Sequence, residues 1–255
     1  MELTIIGSGT GIPSKTRAYP CTLLKIKDEY IIFDTGPGSL RQLFLAGVTY
    51  LDIDYICYSH FHPDHSLDLV SFLFAMRYND PRRIKPLHVI GPSGLKAFYE
   101  RLLMIYGDSI KPKSFELYFK EIDSGRLSFD NFEITVEMLK HSMHSIGFRI
   151  ESSDGKALVY SGDTDFCEEI VQLSKNVNTL ILECSFPDDQ KVEGHLTPSL
   201  CARIAEKSGS KRLILTHFYP ICESTIHNNK KLLNDLKNIY DGEIIFADDF
   251  SVFII

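Results

Sequence analysis

Four side chains of the kinds that bind metal ions fall within six consecutive residues of this 255-residue chain. The segment reads His60-Phe61-His62-Pro63-Asp64-His65 and directly follows a short apolar run. Alternate residues of an extended loop point the same way, so His60 and His62 can face one ion, while a turn at Pro63 lets Asp64 and His65 face a second. Imidazole and carboxylate are ligands for zinc, iron or manganese, which activate water. This density of ligands favours a metal centre over a merely polar surface loop.

Further candidate ligands follow other apolar runs of the chain. Seven of the nine histidines lie in four short clusters, each just after a predicted strand. Taken alone, Asp163 is as well explained by helix capping as by ligation, and a single histidine such as His141 or His217 is more often structural. Because side chains at strand ends along one edge of a sheet can converge, these three supply the ligands that the cluster lacks. The predicted metal ligands are His60, His62, Asp64, His65, His141, Asp163 and His217.

The elements that must position these residues can be read from apolar runs and turn residues. Runs bounded by Gly, Pro, Asn and Asp predict strands at residues 3–6, 22–26, 30–33, 55–58, 87–90, 115–121, 133–139, 146–151, 157–161, 180–182, 213–216, 243–246 and 250–254. Helices are predicted at residues 38–46, 67–76, 93–106, from Thr197-Pro198 onward, and at 225–239. The helix at 67–76 is apolar all round, which is typical of a buried helix. Strand-rich halves with helices between them predict two packed sheets with helices outside, in one domain spanning residues 1–255.

Composition and charge exclude several classes of protein. Hydrophobic residues make up 44% of the chain and charged residues 24%, which is ordinary for a globular protein with a core. No run approaches the roughly 20 apolar residues of a membrane span, and the first residues show no secretory leader. The six cysteines are scattered, without a C-x-x-C pair, and predict reduced thiols in the cytoplasm. A net charge of −7 argues against indiscriminate binding of phosphate backbones.

The order of the candidate ligands resembles that of the metallo-β-lactamase fold superfamily. Its signature H-x-H-x-D-H stands here at residues 60–65, and its later single ligands match His141, Asp163 and His217 in order and approximate spacing. Within the superfamily, the chain is most similar to the ribonuclease Z branch. The segments that carry this similarity are residues 7–17, 33–38, 147–149, 161–164 and 215–218.

This resemblance implies an α/β fold of the αββα type, a sandwich of two packed mixed β-sheets with helices on the outer faces and metals at one edge. It implies two divalent ions per chain, zinc in the first place, with manganese or iron as alternatives. The implied ligand sets are His60, His62 and His141 for one ion and Asp64, His65 and His217 for the other, with Asp163 bridging them. Such a pair lowers the pKa of a bridging water and stabilises a phosphoryl or acyl transition state. Asp64 can orient the resulting hydroxide.

The leaving oxygen then needs a proton donor, and His195 is the candidate. It lies in Gly194-His195-Leu196-Thr197, where ribonuclease Z proteins carry a Gly-His-Ser-Thr segment. Glu183 matches the glutamate of their His-Glu-Ala-Thr segment and is equally well explained as a structural residue. A glutamate beside such a histidine fixes its tautomer and keeps it protonated. The predicted catalytic residues are therefore Asp64, His195 and Glu183.

Three functions remain open at this stage. The first is a dinuclear metal phosphodiesterase that acts on RNA or a small phosphodiester, supported by the family pattern and by Lys15 and Arg17 near the predicted cleft. The second is hydrolysis of an ester, thioester or lactone at the same centre, which an apolar cleft lined by Phe72, Phe74 and Phe218 would favour. The third is a non-catalytic metal-binding scaffold.

The chain also departs from the ribonuclease Z pattern. Between Ile150 and Ala157 there is only a short turn, where ribonuclease Z proteins insert a long arm that grips transfer RNA. Leu182 replaces the histidine that precedes the matching glutamate. A basic loop over residues 77–85 is better explained as a solvated surface than as a phosphate-binding patch. Relatives often pair two subunits, which implies a homodimer, although the sequence shows no interface.

Overall fold

The computed structural model describes residues 1–78, 82–226 and 230–255. Its strands form two seven-stranded sheets. In the first sheet, the strands are β1 (Glu2–Gly7), β2 (Cys21–Ile26), β3 (Glu29–Phe33), β4 (Tyr55–Cys57), β5 (Leu87–Gly91), β6 (Leu117–Glu121) and β14 (Val252–Ile254). Their order is β14-β1-β2-β3-β4-β5-β6, with β3 to β6 parallel and the other pairs antiparallel.

The second sheet has the same mixed character. Its strands are β7 (Gly125–Ser128), β8 (Phe132–Leu139), β9 (Ser145–Ser152), β10 (Ala157–Tyr160), β11 (Thr179–Glu183), β12 (Arg212–Thr216) and β13 (Glu243–Phe246). Their order is β13-β12-β11-β10-β9-β8-β7, with β10 to β13 parallel. The β9–β10 connection is the tight turn that the sequence predicts, with Gly155 in the left-handed region at φ 78°.

The helices of the described residues pack on the outer faces of the two sheets, except the short α2 (Pro63–Ser66), which carries Asp64 and His65 at the edge. They are α1 (Ser39–Leu45), α2 (Pro63–Ser66), α3 (Leu69–Tyr78), α4 (Leu95–Tyr106), α5 (Glu168–Leu173), α6 (Pro198–Ser208), α7 (Pro220–Ile226) and α8 (Lys230–Lys237). Buried residues of α1, α3 and α4 pack on the first sheet, and those of α5, α6 and α8 pack on the second. The predicted αββα sandwich of two mixed sheets is confirmed.

Many strand segments are continuously apolar because both faces of these strands are buried. In β11, Ile181 points into the core between the sheets, while Leu180 and Leu182 pack under the outer helices. In β12, Ile214 and Leu215 divide in the same way. The edge strand β7 lacks such a run: it carries a single large apolar residue, Leu127, which is why the sequence did not predict it.

One helix prediction needs correction. The helix predicted at 67–76 is not buried all round, because Phe72 and Met76 pack on the sheet while Phe74 on the opposite face is exposed. The helix predicted at 225–239 overlaps the end of α7 and all of α8, and residues 227–229 between them lie outside the described part. The short helix α5 was not predicted. Among the described residues, no helix combines the length and apolar character needed to cross a membrane.

Candidate metal centre

The carboxyl ends of the parallel strands meet at one edge of the sandwich, and the predicted ligands follow them there. The loop after β4 carries the histidine cluster, the loop after β10 carries Asp163, and the residue after β12 is His217. His141 follows β8 at the same edge. All seven predicted ligands fall into groups whose ligand atoms lie within 4.8 Å of one another.

The first group consists of His60, His62, His141 and Asp163. The Nε2 atom of His60 lies 2.9 Å from Nδ1 of His62, and Nε2 of His141 lies 3.3 Å from that same Nδ1. The Oδ2 atom of Asp163 is 3.9 Å from Nε2 of both His60 and His141. Ring nitrogens this close to one another and to a carboxylate are arranged as the ligands of one cation would be.

The second group consists of Asp64, His65 and His217, and the other oxygen of Asp163 faces it. The Nε2 atoms of His65 and His217 are 3.1 Å apart. Asp163 Oδ1 lies 3.4 Å and 3.3 Å from them, and Asp64 Oδ2 lies 3.8 Å and 3.7 Å from them. Oδ1 of Asp163 is buried and accepts no hydrogen bond from the described residues. An orphaned, buried carboxylate oxygen among imidazole nitrogens fits a cation.

Hydrogen bonds on the far side of four rings orient them toward the cluster. The Nδ1 atoms of these rings lie near polar acceptors: His60 near Ser59 Oγ (3.0 Å), His65 near Asp34 Oδ2 (2.8 Å), His141 near the Gly194 carbonyl oxygen (2.8 Å) and His217 near Ser185 Oγ (3.0 Å). A proton on Nδ1 leaves Nε2 of each ring unprotonated, with its lone pair facing the cluster. This arrangement is the usual support of metal-binding histidines, so the donor set fits divalent cations.

Metal binding requires neutral imidazoles and ionised carboxylates. The pKa shifts of His60, His62, Asp64 and Asp163 favour these states, whereas His65 differs: burial lowers its pKa, but the charges of Asp163 and Asp34 outweigh burial and raise it. Burial lowers the pKa of His60 and of His62, with the neighbouring histidines adding to the effect. Burial raises the pKa of Asp64, but the nearby rings of His217 and His65 outweigh it, so that pKa is lowered overall. The pKa of Asp163 is lowered in the same way, since His217 and His65 outweigh its burial.

Two residues at this edge have an unusual backbone conformation. Asp34 and His217 are non-glycine residues in the left-handed region, with φ of 58° and 60°. Few such residues occur in proteins, and they persist where the surroundings hold them. Asp34 accepts hydrogen bonds from Ser59 and Tyr160 and lies against His65, which explains how its backbone is held.

His195 and Glu183 meet beside the cluster. The Nδ1 atom of His195 is 2.9 Å from Oε1 of Glu183 and 3.9 Å from Oδ2 of Asp163. Burial lowers the pKa of His195, but its hydrogen bond and ion pair with Glu183 outweigh burial, so the pKa is raised. Glu183 also accepts hydrogen bonds from the Thr164 backbone N–H and from the Ser185 hydroxyl. Glu183 therefore holds the His195 ring close to the cluster and favours its protonated form.

Three supporting residues were not predicted as part of the site. Asp34 and Ser185 orient His65 and His217, as described above. Asp165 accepts hydrogen bonds from Lys191 and from the Gly194 backbone N–H, which fixes the loop that carries His195. In the sequence, these three residues stand out only by lying one to three positions from a strand end or from a predicted ligand. Too many other residues share such a position for it to identify them.

Other residues that the sequence analysis considered for the cleft have structural roles or lie away from the cluster. Arg17 is buried and pairs with Glu223 and Asp248, so it braces its own loop instead of facing the cluster. Phe72 and Phe218 are buried in the two outer cores, and Phe74 is exposed on α3, so the three do not form an apolar cleft. In the basic loop, Arg83 is buried and donates to backbone carbonyls, including that of Ile53. That arginine is structural, neither a solvated surface group nor a phosphate contact.

The fold and the ligand cluster define a metal-dependent hydrolase. The chain belongs to the beta-lactamase superfamily, because the sequence profile of the beta-lactamase superfamily domain matches residues 29–218.

Most of the chain is also similar to curated proteins named ribonuclease Z. It is 26% identical to a ribonuclease Z of Anoxybacillus flavithermus over 312 aligned positions, covering 100% of this chain and 97% of that protein. A ribonuclease Z of Pyrococcus horikoshii is 27% identical, covering 86% of this chain and 87% of that one. The Anoxybacillus alignment is longer than this chain, so that relative has segments that are missing here.

Solved structures share the fold over the whole chain. The metallo-beta-lactamase fold protein YhfI of Bacillus subtilis superposes with a TM-score of 0.83 at 25% identity, covering 99% of this chain and 98% of that one. The short form of human tRNase Z superposes with a TM-score of 0.81 at 24% identity, covering 100% and 99%.

Proposed function

We propose that this protein is a phosphodiesterase that holds two divalent metal ions, most simply zinc, and cleaves RNA or a small phosphodiester. The observation that carries the proposal is the placement of Asp163 between two sets of imidazoles, with one carboxylate oxygen toward each set. The ligand sets are His60, His62 and His141 for one ion and Asp64, His65 and His217 for the other, with Asp163 shared. Bound divalent ions supply Lewis-acid chemistry, which activates water and stabilises charge on a phosphoryl group.

The residues of the chain itself supply the proton chemistry. His195 donates a proton to the leaving oxygen, and Glu183, 2.9 Å from its Nδ1 atom, holds the ring and favours its protonated form. Asp64 has a lowered pKa and is an acceptor that can orient the attacking water. Proton transfer of this kind contributes roughly 10²–10⁴-fold to a rate.

Two findings favour phosphodiesters over carboxylic esters. The two curated relatives described above, which cover 100% and 86% of the chain, are named ribonuclease Z. The apolar cleft that would favour an ester substrate is not built by Phe72, Phe74 and Phe218. The short β9–β10 turn, in place of a tRNA-gripping arm, favours a substrate smaller than a folded transfer RNA.

The test compares two chromogenic substrates on one preparation. Metal-loaded protein should hydrolyse bis(p-nitrophenyl) phosphate faster than p-nitrophenyl acetate, and removal of metal by a chelator should abolish the first activity. Addition of zinc or manganese should restore it. Hydrolysis of the acetate alone would support the ester alternative, and metal binding without turnover of either substrate would support the scaffold. The homodimer, the cytoplasmic location and the single-domain organisation stay predictions.

A further inference from the structure

Two aromatic rings stand together at the rim of the metal centre. Phe186 lies three residues beyond β11, and Tyr219 lies two residues beyond the ligand His217. Their ring centroids are 4.6 Å apart at an interplanar angle of 24°, which is a stacked pair. Both side chains are only partly buried.

Core packing does not account for this pair. Neither ring belongs to the three hydrophobic clusters found among the described residues, although their neighbour Phe218 does. The Tyr219 hydroxyl makes no hydrogen bond to the part of the chain that the structure describes. A partly exposed tyrosine and phenylalanine in a stack, outside the core, form a surface that can accept another flat ring.

The pair is anchored to the site itself. Phe186 contacts the ring of His195 edge-on, with centroids 5.6 Å apart and an interplanar angle of 67°. Tyr219 lies 6.1 Å from the rings of both His195 and His217. A group bound on this stack therefore lies beside His195, the proposed proton donor, and near His217, a proposed metal ligand.

We propose that Phe186 and Tyr219 form a stacking surface for the base of a nucleotide whose phosphate lies at the metal centre. The inference rests on the proposed function and extends it to a substrate class: phosphodiesters that carry a nucleobase on the side of the leaving group. Every base has an aromatic face, so stacking on these two rings is tolerant of base identity.

Calorimetry of the metal-loaded protein tests this without any turnover. Adenosine 5′-monophosphate and ribose 5-phosphate share a sugar and a phosphate and differ by the base. The wild-type protein should bind the adenosine compound at least about fivefold more tightly, from the usual strength of base stacking. Tyr219→Ala and Phe186→Ala should each bring the two affinities together by weakening only the adenosine compound.

Matched variants separate stacking from other effects. Tyr219→Phe keeps the ring and should keep the preference, whereas Phe186→Leu keeps apolar volume without a π face and should reduce it. Tyr106→Ala, which removes a partly exposed tyrosine from the end of α4, should change neither affinity. Equal binding of the two compounds by the wild type would overturn the proposal, as would a loss of preference in Tyr219→Phe equal to that in Tyr219→Ala.

The outcome is distinguishable from a failure of the proposed function. If the protein hydrolyses bis(p-nitrophenyl) phosphate but binds both phosphates equally, the stacking surface is wrong and the phosphodiesterase assignment stands. If it prefers the adenosine compound through Phe186 and Tyr219 but hydrolyses no phosphodiester, the stacking surface stands as a binding site and the assignment fails.

Discussion

His195 illustrates how a side chain acquires chemistry from its neighbours. Its Nδ1 atom lies 2.9 Å from Glu183 and 3.9 Å from Asp163 of the cluster, and the Glu183 carboxylate keeps the pKa of His195 raised in spite of burial. His144, only three residues beyond the ligand His141, pairs with Asp123 at 3.0 Å and is substantially exposed. Two histidines that look alike in the sequence thus differ in the charges and burial around them.

Replacing the proposed proton donor should separate catalysis from metal binding. His195→Ala should keep its metal content and lose about 10²–10⁴-fold in kcat for bis(p-nitrophenyl) phosphate, because it removes the proton donor and not a ligand. His62→Ala should lose metal and activity together. Elemental analysis and steady-state kinetics on the same samples measure both quantities.

His144→Ala is the matched control and should change kcat little. Unchanged turnover in His195→Ala would mean that another group supplies the proton. A loss of metal in that variant would make His195 a ligand, which its proximity to Asp163 and His217 also permits.

At the scale of elements, the end of β10 decides where Asp163 lies. Gly162 has a φ of 58°, in the left-handed region that favours glycine, and a Cβ atom there would lie 2.3 Å from Cβ of Ser59. The two sheets approach so closely at this point because Ser59, after β4, and Gly162, after β10, face each other. Only a residue without a side chain lets both carboxylate oxygens of Asp163 reach their imidazoles.

Gly162→Ala should therefore destabilise the protein and disturb the site. Gly155→Ala is the matched control, since Gly155 is also in the left-handed region but has nothing within 4 Å of its Cβ position. The control should cost about 1–2 kcal/mol from backbone conformation alone, and Gly162→Ala should cost about 1–3 kcal/mol more from overpacking. Urea unfolding measures both, and elemental analysis should find less bound metal in Gly162→Ala only. Equal costs for the two variants would show that the loop moves freely away from Ser59.

Across the whole molecule, distant parts of the chain close over the loop between β1 and β2. Arg17 in that loop pairs with Glu223 of α7 at 3.1 Å and with Asp248 near the carboxyl end at 2.8 Å. Asp249 accepts hydrogen bonds from the backbone of Ser8 and Ala18. The same loop carries Gly11, whose Cβ position lies 3.3 Å from Asp64 Oδ2, so this closure also shapes one side of the metal centre.

The closure should make stability depend on pH through Glu223. Burial raises the pKa of Glu223, but hydrogen bonds from Thr16 and Ser14 and the charge of Arg17 outweigh it, so the pKa is lowered from its ordinary 4.5. A lowered pKa means that this stabilisation is present above about 4.5 and is lost as pH falls through the folded-state pKa. Glu223→Gln should lower the free energy of unfolding at pH 7 by about 1–2 kcal/mol, and the difference from wild type should shrink below pH 4.5.

Denaturant unfolding at several pH values measures this difference. Glu243→Gln provides the comparison, because Glu243 pairs with Arg212 in a largely exposed position and should contribute less than about 1 kcal/mol. A gap between wild type and Glu223→Gln that stays constant from pH 7 to pH 3 would contradict an ionic origin.

The sequence by itself determined the class of fold and the candidate ligands that the structure brings together. Apolar runs of strand length and a dense cluster of ligands depend on local spacing, which one chain displays directly. The tertiary structure decided what spacing does not encode. Asp34 and Ser185 orient predicted ligands, and Phe186 stacks on Tyr219. Arg17 and Phe218 stabilise the fold instead of lining the cleft. Those roles arise between residues far apart in the chain, where sheet packing and burial, and not residue type, determine which side chains touch.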